Sequence, residues 1–143
     1  MLLIDNRTGL EVLDRDECLR LLGAGGIGRV AVIDGGRPAI FPVNYLVHDE
    51  QVLFRTAEGT KLDAATRGQQ VAFEIDSADP MYHTGWSVVL VGRAEEITDP
   101  DRRAAIERLP LRPWAAGAKH HIVSIRSEQV SGRRIVHVAP RDG

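Results

Sequence analysis

A single cysteine, Cys18, rules out an internal disulfide and leaves the fold to be held by a packed core. It falls on the apolar side of the first predicted helix, a place for buried filler rather than for a nucleophile. Aromatic residues make up only 5% of the chain, and no apolar run approaches the length a bilayer-crossing helix needs. Neither sign of charge dominates: 18 Lys and Arg against 20 Asp and Glu leave a formal net charge of −2. That balance lacks the basic surplus or stripe that neutralises a phosphate backbone, which argues against a nucleic-acid partner. The N-terminal MLLIDNRTGLEVLDRDE is too acidic and too poor in apolar residues for a secretion signal. These absences predict a cytoplasmic protein without a membrane or nucleic-acid partner. The 143 residues suit one domain, 1–143, with one substantial core.

What is present is a rapid succession of strand signals. A helix comes first, marked by Asp14 and Glu17 at capping-box spacing, an apolar stripe of Leu13, Cys18, Leu21 and Leu22, and Gly23 as its stop. The following GAGGIG resembles a dinucleotide fingerprint only superficially, since no strand is expected before it and no helix after it. Strands are then expected at Arg29–Ile33 and, after the tight turn Asp34-Gly35-Gly36, at Arg37–Val47. Pro38 and Pro42 inside the second of these point to an edge or a bulge. Gln51–Thr56, Gln70–Asp76, Gly85–Ile97, His121–Arg126 and Gln129–Val138 complete the strands. Helices are expected near Lys61–Arg67 and Pro100–Leu109, the latter with Asp99 as cap. Closely spaced antiparallel strands with helices only at the periphery predict a mainly β fold, a small barrel rather than a parallel α/β sheet.

The stretch VLFRTAEGTKLDAA, Val52 to Ala65, sets Arg55, Thr56, Thr60 and Lys61 around one glycine-containing corner between a strand and a short helix. Gly59 permits a positive φ, Thr60 can cap the helix, and Lys61 and Arg55 supply a mobile cation and a planar fork for phosphate oxygens. The unpartnered N–H groups of a first helical turn also favour an anion. The same residues equally describe an ordinary capped and solvated turn. It is no Walker loop, because GxxxxGK[ST] is absent, so nucleotide hydrolysis is not expected.

The order PAIFPVNYLV, VLFRTAEGTKLDA, VAFEID and GWSVVLVGRAEEI resembles the pyridoxamine 5′-phosphate oxidase-like superfamily of flavin-binding split barrels. It looks closest to the small actinobacterial members and their nitroimidazole-reductase-like relatives, over about Leu13 to Val138. The resemblance implies an antiparallel six-stranded Greek-key split barrel and a homodimer with one FMN in each of two subunit clefts. It places Arg55 and Thr56 at the phosphate and ribityl chain, and Thr60 and Lys61 on the phosphate-gripping turn. Pro42, Val43, Asn44 and Tyr45 fall on the strand lying along the isoalloxazine ring. Ser87, beside Trp86, matches a position contributed by the other subunit. The implied activity is hydride transfer through FMN to or from a small molecule. A deazaflavin coenzyme in a basic groove of Arg126, Arg133 and Arg134, or a non-catalytic flavin- or haem-binding module, are the alternatives. The C-terminal GRRIVHVAPRDG has the family's arginines without the tryptophan of the name-giving oxidase, so vitamin B6 oxidation is not expected. Trp114 is expected in a cleft wall or in the dimer core. His120 and His121 cannot both face one metal on a regular strand, and His83 lies in a loop near Trp86.

Overall fold

The computed structural model describes residues 3–5, 9–57, 59–110 and 121–135, and the side chains of residues 61, 64 and 65 lie outside that description. So do Trp114, His120 and the C-terminal tail. The strands are β1 (Leu3–Ile4), β2 (Glu11–Leu13), β3 (Gly26–Asp34), β4 (Arg37–His48), β5 (Gln51–Thr56), β6 (Gln70–Asp79), β7 (Thr84–Glu96), β8 (His121–Arg126) and β9 (Gln129–Ile135). The helices are α1 (Arg15–Leu22), α2 (Lys61–Thr66) and α3 (Pro100–Glu107). β5 and β8 have the bounds expected from sequence. β6 runs three residues further than expected, and β3 starts inside the glycine-rich stretch at Gly26.

The sheet order is β1-β2-β9-β7-β6-β3-β4-β5-β8, and a further β7–β8 pairing closes β3, β4, β5, β8, β7 and β6 into an antiparallel ring of six. Three hairpin-connected strands (β3, β4, β5) are followed through α2 by β6, which returns beside β3, a Greek-key arrangement. β7 belongs to both halves of the split. Gly85–Val91 pairs with β9, then Ala94–Glu96 pairs with β8. Gly92 sits at that transfer, where a Cβ would lie 1.9 Å from the Arg126 carbonyl oxygen, so only glycine passes.

Alternation divides the side chains. Val30, Val32, Val43, Tyr45, Val52, Phe54, Phe73, Ile75, Val88 and Leu90 fill the interior, together with Cys18, Leu21 and Leu22 of α1. Tyr45 meets Phe73 edge-on at 4.8 Å between ring centroids. A second cluster of Leu53, Ile97, Ile106 and Ile122 lies under α3 on the outside of β5 and β8. Each buried side chain of this size contributes about 1.5–3 kcal/mol relative to exposure. α1 is capped as expected, Asp14 accepting the Glu17 N–H at 2.8 Å, but the Glu17 carboxylate turns to Arg20 and Arg134 instead of completing the box.

Candidate functional site

Two tight turns decide which backbone groups β4 leaves open. Gly35 and Gly36 have φ of 57° and 80°, and Asp49 and Glu50 have 51° and 60°, so both hairpins use two-residue turns with positive φ throughout. Such turns are flanked by hydrogen-bonded pairs, here Asp34 with Arg37 and His48 with Gln51. Odd-numbered residues of β4 therefore direct N–H and C=O toward β3, and even-numbered ones toward β5. Yet β4 pairs with β5 only at Leu46, Val47 and His48. From Arg37 to Tyr45 that side has no paired strand among the described residues, and the N–H and C=O of Ile40 and Asn44 point into the gap. Pro38 and Pro42, also even, place their missing N–H there and cost no ladder bond. The edge expected from the two prolines is this one.

β5 forms the other lip. Carried beyond Leu46–Leu53, the register would set Asn44 opposite Arg55, and it is there that the strands part. Arg55, half-buried, and Asn44 share the outer face of this split, while Thr56 and Tyr45 point inward. Val43 and Tyr45 are core residues at 3% and 2% exposure whose N–H and C=O face β3, so the backbone groups of the lip come from Pro42 and Asn44. The Tyr45 hydroxyl donates to the Leu22 carbonyl at 2.9 Å, and burial pushes its pKa up to about 12.

Beyond Thr56 the chain turns at Gly59, whose φ is 76°. The hydroxyls of the corner are engaged internally. Thr60 caps α2, accepting the Asp63 N–H at 3.1 Å and donating to the Ala57 carbonyl at 2.7 Å. Thr56 donates to Asp63 Oδ1 at 3.1 Å, and Asp63 Oδ2 accepts the Gly59 N–H and the Arg67 guanidinium. α2 has six residues, and the N–H groups of Gly59, ahead of its cap, and of Asp63 in its first turn are already committed. Two of the amides at this helix end are thus committed, and the cationic residues Arg55 and Lys61 flank the corner. Lys61 opens α2, with its side chain outside the described residues. Asp63 was missed in the sequence although Thr60-x-x-Asp63 has capping-box spacing, with Asp in place of the usual Glu or Gln.

Trp86 and Ser87 face opposite sides of β7. Trp86 shares the inner face with Arg134 and walls a cavity of about 720 Å³ with Ser77, Asp79, Thr84 and Ile135. Ser87 lies on the outer face, between Asp76 and Arg133. On the same face Arg29 bridges Glu74 and Asp76 at 2.7 and 2.8 Å. Burial, then the neighbouring Asp76 carboxyl, pushes the Glu74 pKa upward against the pull of Arg29. Arg133 and Arg134 also alternate to opposite faces, and Arg134 is held by Glu11 and Glu17. With Arg126 they form no continuous basic groove. His121, half-buried, pairs through Nδ1 with Glu96, a contact between β8 and β7 that no sequence spacing announces. His83 is exposed with φ of 51°. Among the described residues no three His, Cys, Asp or Glu side chains gather to hold a metal, and no helix is long and apolar enough to cross a membrane.

The flavin-type split barrel thus described is matched by known proteins. The chain belongs to the pyridoxamine 5′-phosphate oxidase family, whose model matches residues 14–134. An uncharacterized protein of Mycobacterium tuberculosis is 46% identical over 129 residues, 87% of this chain and 84% of that protein. The solved structure of the FAD binding protein from Mycobacterium smegmatis superposes with a TM-score of 0.78 at 39% identity, covering 89% of this chain and 99% of that one. An FAD-binding protein from Mesorhizobium loti gives a TM-score of 0.72 at 26% identity, covering 87% and 96%.

Proposed function

We propose that this chain is a flavin-dependent oxidoreductase that works as a homodimer, with its cofactor at the split between β4 and β5. The observation that carries this reading is the split itself. One lip is a strand edge offering backbone donors and acceptors at Ile40 and Asn44 with a lone acceptor at Pro42 between them, and the other is a cationic corner at Arg55 and Lys61. A flavin has the matching asymmetry, a ring system with a polar edge at one end and an anionic tail at the other. Pro42 and Asn44 would face the ring from the lip, with Val43 and Tyr45 anchoring that strand to the barrel, and Arg55, Thr56, Thr60 and Lys61 would form the corner at the tail. A bound flavin would supply the hydride-transfer chemistry. The chain's residues bind, orient and exclude water for a small-molecule substrate.

The dimer reading rests on the outer face of β3 and β4. Ile27, Ile33 and Ile40 are 50%, 55% and 67% exposed there, alongside Pro38 and Pro42. A second copy on that face would cover this apolar patch and bring Ser87 to a neighbouring cleft, with Trp86 walling the cavity behind it. The mycobacterial structure at 39% identity is named for FAD, so FAD stands beside FMN as the flavin to be distinguished.

The test is the absorption spectrum of the purified protein and the mass of the ligand it releases, followed by reduction with nicotinamide donors. A yellow dimer releasing FMN or FAD and reduced by such a donor is expected. A deazaflavin mass would change the cofactor, and a bound flavin inert to every donor would make the protein a non-catalytic module. A colourless protein that takes up no flavin on titration overturns the reading.

A further inference from the structure

We infer that Asp63 is a positioning residue that sets the spacing of the two cations at the anion-binding corner, an inference resting on the flavin reading above. Asp63 is 4% exposed, and the chemistry proposed for the cleft has no use for a carboxylate there. A buried carboxylate persists only where it is paired and hydrogen-bonded. Here four bonds converge on the one residue. Thr56 Oγ1 donates to its Oδ1 at 3.1 Å. The Gly59 N–H and the Arg67 guanidinium donate to its Oδ2 at 3.3 and 3.0 Å. Its own N–H donates to Thr60 Oγ1 at 3.1 Å. Strand end, turn and helix end are thereby tied to its side chain, and the helix cap to its backbone N–H.

Two of the residues held in this way are chain neighbours of the cations. Thr56 follows Arg55 directly, and Thr60 precedes Lys61. Holding Thr56 and the Gly59 N–H against one carboxylate, with Thr60 held to the same residue's N–H, fixes the backbone that carries both charges. The corner is then shaped before a ligand arrives, and binding does not have to order it. The negative charge of Asp63 is balanced by Arg67, so shape is gained with little repulsion toward an incoming phosphate. Asp63 acts through these neighbours and need not touch the ligand.

The test compares FMN with riboflavin, which has the same ring and no phosphate, on the full-length protein. Wild type is expected to hold FMN at least about tenfold tighter than riboflavin, as charge-assisted phosphate contacts require. Asp63→Asn is expected to bring that ratio within about threefold while riboflavin affinity changes little, the signature of a mispositioned tail site. An unchanged ratio overturns the inference, as does an equal loss of both ligands, which marks a merely structural role. If Asp63→Asn does not fold, Arg67→Gln decides, since that side chain is 54% exposed and lies outside the core. The ratio should then fall by about threefold, and no change overturns the inference. Wild type binding both flavins equally would overturn the phosphate reading itself, a result distinct from the variants' failure.

Discussion

At the scale of single residues, the corner separates what was legible from what was not. Arg55 and Lys61 stand out in the sequence as two cations around one glycine-containing corner, a pattern that an ordinary solvated turn also shows. That the Thr56 and Thr60 hydroxyls serve Asp63 and the cap depends on how the turn closes, which spacing alone does not show. If the cations grip an anionic tail, Arg55→Ala with Lys61→Ala should weaken flavin binding by about 10- to 100-fold, given about 1.5–3 kcal/mol for a hydrogen bond to a charged group. Circular dichroism should show the barrel intact. Tyr45 gives an independent check on the interior. Its pKa is raised from about 10 to about 12, so the neutral phenol stabilises the fold below pH 10, and that stability is lost as pH rises through 12. Tyr45→Phe should cost about 1 kcal/mol at neutral pH through the lost bond to Leu22. It should also flatten the alkaline limb of thermal stability measured against pH.

Among elements, hydrophobic alternation located β3 to β9 but not the short β1 and β2, the latter holding Leu13 that was expected on the first helix, and the prolines of β4 announced an edge. Neither indicated that β7 would change partners at Gly92, because that requirement comes from a strand distant in sequence. Gly92→Ala places a methyl against a carbonyl that cannot move without breaking the β7–β8 ladder. A loss of about 3 kcal/mol or more is expected in chemical denaturation, at the upper end of overpacking costs. α1 is docked through charge as well as packing. The Arg20 and Arg134 guanidiniums hold the Glu17 carboxyl at about 2, below its ordinary 4.5. A depressed acid contributes its stability above pH 4.5 and loses it as pH falls toward 2. Glu17→Gln should therefore lower the melting temperature at neutral pH, and the gap to wild type should close across that window. A gap that stays constant down to pH 2 would contradict the pairing with Arg134 on β9.

For the whole molecule, strand count and spacing indicated a small antiparallel barrel, and the ring of six agrees with what the resemblance of four short segments implied. The assembly was less legible, since one chain states only which apolar residues it leaves outside. Ile40→Asp, placed on the exposed face of β4, should shift the protein toward monomer in sedimentation and release flavin with it if the clefts are shared. The most direct measurement is a crystal structure of the protein grown with flavin. The account expects the ring against the β4 edge at Pro42–Asn44, the tail at Arg55 and Lys61, and Ser87 of a second subunit nearby. A structure in which that corner faces bulk solvent, away from both flavin and any subunit junction, would contradict it.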